Sequence, residues 1–180
     1  MIDIETLGTG PDAALLSLGA VKFNPSGDGV IDAFYIRIDA ASCEQFGLSI
    51  DAKTVAWWMS GDRRAARDAL DATDPVDLPS ALDGFAAWLG PDSMPVWGNG
   101  ATFDNVIVRS AYDAIGMECP WKFWHDRCFR TYKNLAKHIA PPKALMPADS
   151  AVPHHALFDA HLQALHMQVI SEFLGVKAVA

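Results

Sequence analysis

The sequence predicts an α/β fold: a mixed β-sheet, with an N-terminal antiparallel three-stranded meander followed by parallel strands, flanked by helices. Three observations carry this. Residues 1–38 hold three β-type runs, the apolar spacing becomes helical from Ser49, and short apolar runs alternate with helical segments after residue 94. That last order is the one from which parallel pairing arises, because parallel strands need a crossover connection.

The meander reads as strands over residues 1–5, 14–23 and 30–38, the last two joined by the turn formers Asn24-Pro25-Ser26-Gly27-Asp28-Gly29. In the third, Ala33-Phe34-Tyr35-Ile36-Arg37-Ile38 alternates in size and polarity and is rich in β-formers. Asp51 can cap a helix running through Trp57 and Trp58, and Asp62 another over residues 63–70. Pro75 and Pro79 then break the chain. Ser80 is expected to cap a helix over 81–89, in which Leu82, Phe85, Ala86 and Leu89 form a buried stripe, and Gly90-Pro91 ends it. Residues 94–97 read as a buried strand leading through Gly98-Asn99-Gly100 into a helix over 103–115. A short strand over 124–128, a helix over 130–139, a loop over 141–153 and a long helix over 155–174 complete the chain.

The 180 residues are 51% hydrophobic, enough for one domain over residues 1–180 with a substantial core. No apolar run nears the ~18 residues of a membrane span, and the N-terminus lacks the basic and apolar regions of a signal peptide. The expectation is a soluble cytoplasmic protein. Cys43, Cys119 and Cys128 form no CxxC pair, so neither a disulfide framework nor a cysteine zinc site is indicated. A net charge of −8 and a pI near 5.0 exclude a protein that coats nucleic acid through broad electrostatics. They leave room for an enzyme that grips one strand end. The charge is also uneven, since residues 122–143 carry Lys122, Arg127, Arg130, Lys133, Lys137 and Lys143 against a single acid, Asp126.

Asp3 and Glu5 lie two apart in a predicted strand, so both point to one face while Ile2 and Ile4 point to the other. Carboxylates that close repel unless a cation lies between them, and hard oxygen ligands favour Mg²⁺ or Mn²⁺. Asp104 opens a helix after a strand, a position the helix dipole favours for any acid; Gly98 and Gly100 around Asn99 would let a ligand approach the backbone there. Near the last helix, His154 stands at the N-terminal boundary, while His155 is i, i+4 to Asp159 and would share its face. Spacing alone leaves either histidine open. The set His154, His155, His161 and His166 matches neither HExxH nor a Cys₂His₂ pattern, which argues against zinc.

Together, three segments resemble in chain order the three exonuclease motifs of the DEDDh family in the RNase H-like superfamily. They are Ile2-Asp3-Ile4-Glu5-Thr6, Gly98 to Asp104 with Asn105, and His154-His155-Ala156-Leu157-Phe158-Asp159-Ala160. The resemblance spans essentially the whole chain. Thr54-Val55-Ala56-Trp57-Trp58-Met59 and Trp97-Gly98-Asn99-Gly100 look most like the branch holding DexA-like phage exonucleases and a bacterial adenylate-preferring exoribonuclease. Only Met1 and Ile2 precede Asp3, where relatives usually have a longer first strand, so an upstream start or a shortened strand edge is one expectation.

The resemblance implies an RNase H-like fold and a 3′–5′ exonuclease acting on single-stranded 3′ ends of DNA or RNA, in a bacterial cytoplasm or, if phage-encoded, in the host's. It implies that Asp3, Glu5, Asp104 and Asp159 hold two divalent cations, and it selects His154 over His155 as general base, a role suited to an imidazole near neutral pH. By the same analogy the backbone of Thr6 and Leu7 and the ring of Phe103 meet the last nucleotide. Trp57, Trp58 and Trp97 are stacking candidates, with at least one of the adjacent pair Trp57 and Trp58 expected in the core. Asn99 joins the substrate-binding candidates, and Arg130, Lys133 and Lys137, spaced i, i+3, i+7, could follow phosphates upstream. A homodimer is a further expectation, since several relatives dimerise. The rivals are a catalytically silent nucleic-acid-binding module and a metal-dependent phosphodiesterase acting on another nucleotide substrate.

Overall fold

The computed structural model describes residues 1–72, 74–91, 94–142 and 153–176. In chain order the main elements are β1 (Ile2–Thr6), β2 (Leu15–Phe23), β3 (Val30–Arg37), α1 (Ala40–Gln45), α2 (Ala52–Trp58), α3 (Arg64–Asp71) and α4 (Leu78–Leu89), followed by β4 (Val96–Gly98), α5 (Asp104–Ala114), β5 (Asp126–Cys128), α6 (Phe129–Lys133) and α7 (Ala156–Leu174). Among the described residues no helix is long and apolar enough to cross a membrane.

The first three strands form the expected antiparallel meander in the order β1-β2-β3. Its register places Ile2 with Ala20 and Phe34, and Ile4 with Leu18 and Ile36; the next rows are Asp3 with Gly19 and Tyr35, and Glu5 with Ser17 and Arg37. Strand alternation therefore gives the sheet one apolar and one largely polar face. The apolar face meets α4 and α5 through Leu82, Phe85, Val108 and Tyr112 in the main core. The polar face is covered by α7, whose Ala156, Ala160 and Ala164 are fully buried and let the helix sit close. A Cβ on Gly19 would lie 2.2 Å from the Leu157 amide nitrogen, so the start of α7 rests directly on glycine backbone. At its far end Gln168 ties α7 to the β2–β3 turn, accepting from the Gly29 amide (3.1 Å) and donating to the Asn24 (2.9 Å) and Gly29 (2.7 Å) carbonyls.

Several sequence expectations need correction. β4 and β5 pair in parallel, but among the described residues they form a sheet separate from the meander; β4 packs against β1 without a ladder. β4 is cut to three residues between Pro95, which has no N–H to donate, and the glycine-rich turn beyond Gly98. Residues 124 and 125, expected in the strand over 124–128, instead belong to a 3₁₀ turn over Phe123–His125. Helix α4 starts at Leu78, earlier than expected, because the Asp77 carboxylate rather than Ser80 caps it, accepting from the Ser80 amide at 2.9 Å. Pro79 lies in its first turn, where a missing N–H costs nothing. The helix expected over 130–139 ends as α-helix at Lys133 and tightens into a 3₁₀ turn over Asn134–Ala136, so Arg130, Lys133 and Lys137 share no continuous helical face. Helix α1, capped by Asp39, carried no expectation. Asp51 caps α2 as expected. Residues 143–152, including Lys143 and most of the expected loop, and the Asp62 side chain lie outside the described residues.

Candidate active site

The polar face of the meander is where the acids meet. Asp3 and Glu5 project from β1 toward α7, whose first turn brings Asp159; the first turn of α5 brings Asp104 beside them. All four line one open cleft of about 420 Å³ with His154, Phe103, Asn99, Arg130 and Lys133. Ligand atoms of Glu5, His154 and Asp159 lie within 4.8 Å of one another; Asp3 and Asp104 border the same space but stand outside that closest group.

Each placement has a local cause. The register of β1 against β2 shifts between Glu5 and Thr6, at the end of the strand that carries the two acids. Asp104 can enter because residue 98 is glycine: a Cβ there would come within 2.4 Å of the Asn105 amide oxygen and 2.9 Å of an Asp104 carboxylate oxygen. Gly100, at φ 134°, turns the chain beneath the Arg130 guanidinium, which donates to the Asn99 carbonyl at 2.8 Å. The helix bearing Asp104 is pinned to β5 by Asp126, whose carboxylate accepts from Asn105 (2.9 Å), Arg109 (3.2 Å) and Trp121 (2.7 Å).

The two histidines, which spacing left open, point apart. His155 is the N-cap of α7: its Nδ1 accepts from the Phe158 amide at 3.4 Å and its ring stacks on Tyr35 with centroids 4.4 Å apart. His154 adopts the left-handed φ of 62°, its amide donates to an Asp159 carboxylate oxygen at 3.0 Å, and its ring meets the edge of Trp57 with centroids 5.1 Å apart. A positive φ is uncommon for a residue with a Cβ, and here it turns the imidazole into the acid cluster. The tryptophans divide as well. Trp58 is core and donates its indole N–H to the Thr6 carbonyl at 2.9 Å, whereas Trp57 is 39% exposed on a second cleft.

That second cleft, about 480 Å³ and mainly apolar, meets the first at Glu5 and Phe103 and is lined by Thr6, Thr54 and Trp57. Two expected substrate residues are not brought there. Leu7 lines neither cleft; its amide donates to the Ala14 carbonyl at 2.8 Å and its side chain packs against the core. Trp97 faces away from the acids, packing edge-on to Tyr132 at 5.7 Å and lining a pocket beside Met1 and Phe23. Lys137 is exposed and also outside the cleft.

Burial sets the electrostatics. Desolvation, then repulsion from Asp104, Glu5 and Asp159, holds the Asp3 carboxyl well above the usual carboxylate range, opposed by a hydrogen bond from Gln163. Desolvation, then repulsion from Asp159 and Asp104, pushes Glu5 up to about 8. Burial raises Asp104 to about 7 against the pull of its own amide, the Ile4 amide and Arg130, and it raises Asp159 also. Acids so placed hold their protons unless positive charge replaces them, and an all-carboxylate set with one imidazole fits a hard divalent cation. Gln163, which donates to an Asp3 carboxylate oxygen at 2.8 Å, is a site residue that sequence reasoning missed; its signal was the i, i+4 spacing from Asp159.

The family model described as 3′-5′ exoribonuclease Rv2179c-like domain matches residues 1–171. The chain is also similar to an exodeoxyribonuclease of Enterobacteria phage T4, 26% identical over 162 residues, with 73% of this chain and 68% of the phage protein covered.

Proposed function

Since the chain belongs to the 3′-5′ exoribonuclease Rv2179c-like domain family, we propose that it is a metal-dependent 3′–5′ exonuclease of the DEDDh type, RNase H-like in fold, releasing nucleoside 5′-monophosphates from single-stranded 3′ ends. The observation that carries the reading is the convergence of Asp3, Glu5, Asp104, Asp159 and His154, from three distant segments, on one cleft.

In this reading Asp3, Glu5, Asp104 and Asp159 hold the cations. Two divalent ions, Mg²⁺ or Mn²⁺, would supply the positive charge that activates water and steadies the departing 3′ oxygen. His154 takes the proton of the attacking water through its imidazole, held at the cleft by its own amide bond to Asp159 and by the edge of Trp57. Phe103 and Trp57 flank the apolar cleft that meets the acids at Glu5, the place for an unstacked terminal base. Arg130 and Lys133 line the same cleft and bring positive charge suited to the phosphates of the bound strand.

A 5′-labelled single strand digested with Mn²⁺ should give a ladder shortening from the 3′ end, and His154→Ala should lose at least ~10²-fold in turnover while still binding Mn²⁺. Internal fragments would instead favour a phosphodiesterase that cuts within the strand, and full activity in His154→Ala would remove it from the mechanism. The family description names RNA and the phage relative DNA, so matched strands of both are digested side by side.

Metal binding should also be proton-linked. Glu5 at about 8 and Asp104 at about 7 retain protons near neutrality, and a cation must displace them. Mn²⁺ affinity should therefore fall as pH drops from 8 to 6, by about tenfold per pH unit for each proton released. Calorimetry in buffers of different ionisation enthalpy counts those protons; pH-independent affinity with no proton release would contradict the reading.

A further inference from the structure

Helix α7 carries two partly or fully buried glutamines with different surroundings. Gln168 matches both ends of its amide to the β2–β3 turn, as a structural glutamine does. Gln163 matches only one: its Nε2 donates to an Asp3 oxygen at 2.8 Å, while its buried Oε1 meets no donor among the described residues. It lies on the wall of the acid cleft, one helical turn after Asp159 on the same face. A residue placed only to tie α7 to the sheet would gain more by satisfying both atoms.

We infer that Gln163 is a positioning residue: its side-chain amide commits one oxygen of Asp3 and thereby fixes which oxygen, and in what orientation, that carboxylate offers to a cation. The inference rests on reading the four acids as cation ligands. The chemistry explains the residue type. A carboxylate on a short side chain swings about its Cβ–Cγ bond, and among three repelling acids it would turn away from them. An N–H donor halts that rotation. Lys or Arg would do so too, but would cancel a negative charge needed to hold divalent ions, whereas a neutral amide orients Asp3 and leaves the charge of the cluster intact. Outer partners of this kind set ligand geometry and, when removed, weaken metal binding.

The test is Mn²⁺ titration by calorimetry into metal-free protein, without nucleic acid. It compares wild type with Gln163→Met, which keeps length and volume but has no donor, and with Gln163→Ala, a good helix former. Both variants should keep the wild-type Tm in chelator and bind Mn²⁺ at least about tenfold more weakly. Raising Mn²⁺ should restore turnover of Gln163→Met, with the KM for a single-stranded oligonucleotide unchanged. Mn²⁺ affinity within twofold of wild type in both folded variants overturns the inference alone, as does turnover that stays low at saturating Mn²⁺. A wild-type protein that binds no Mn²⁺ overturns the cation reading and this inference with it.

Discussion

Glu5→Gln should lower kcat/KM about 10³-fold, the scale of a lost group that stabilises transition-state charge, and yet make the metal-free protein more stable in mild alkali. Glu5 is buried, faces Asp104 and Asp159, and is pushed up to about 8 from an ordinary value of 4.5. Its acid form is therefore bound more tightly in the folded chain than in the unfolded one. Below about pH 4.5 the side chain is protonated in both states and wild type and variant should be equally stable. As pH rises from 4.5 through 8, the wild type alone must ionise a buried carboxyl against its neighbours, and it loses stability; above 8 the loss is complete. Gln has no proton to lose. In chelator at pH 9 the variant should lead by about 5 kcal/mol, roughly 15 °C in Tm for a chain of this length. Groups that titrate without feeling Glu5, such as the buried N-terminus, are common to both proteins and cancel in the difference, whereas Asp3, which Glu5 repels, ionises more easily in the variant and adds to its lead. Thermal melts at pH 4.5 and 9 beside a nuclease assay check both halves; a variant less stable at pH 9, or an active one, would show that the acid cluster is not held against repulsion for function. Stability given up at a working site is the usual exchange.

Gly19→Ala should be nearly as damaging, although residue 19 does not line the acid cleft. The added Cβ would lie 2.2 Å from the Leu157 nitrogen, 2.3 Å from the Ala156 carbonyl carbon and 2.5 Å from the Leu157 Cα. All three are backbone atoms at the start of α7, so no side chain can swing aside and the helix must lift by about 1 Å. That end of the helix carries Asp159 and adjoins His154, which need β1 for their geometry. Overpacking of this kind costs about 1–3 kcal/mol, and a shift of about 1 Å in reacting groups can cost ~10²-fold in rate. Melting curves with kcat on a single-stranded oligonucleotide measure both. Wild-type values for both would mean that α7 does not rest on Gly19.

Gly19 also marks where the sequence stopped being legible. Its role follows from a helix that begins about 140 positions later in the chain, and no local pattern around it records that approach. The same holds for Gln163, which reaches Asp3 across 160 residues. Trp97 lies outside the acid cleft for a related reason: an aromatic side chain next to a motif reads the same whether it faces a ligand or the core, and packing on Tyr132 decided its face.

What the sequence determined by itself was local and periodic. Strand alternation put Asp3 and Glu5 on one side and Ile2 and Ile4 on the other, Asp51 capped its helix, and turn residues divided the meander. These follow from backbone geometry acting over a few residues. Only the tertiary structure decided which histidine enters the cleft. His154 and His155 are chemically identical neighbours, and the choice is made by a left-handed backbone at His154 together with the Tyr35 ring that engages His155. The tertiary structure also turned Trp57 outward and Trp58 inward, broke the basic face after Lys133, and split the sheet at β4. Each outcome depends on what a face meets across the fold, and periodicity records only which way that face points.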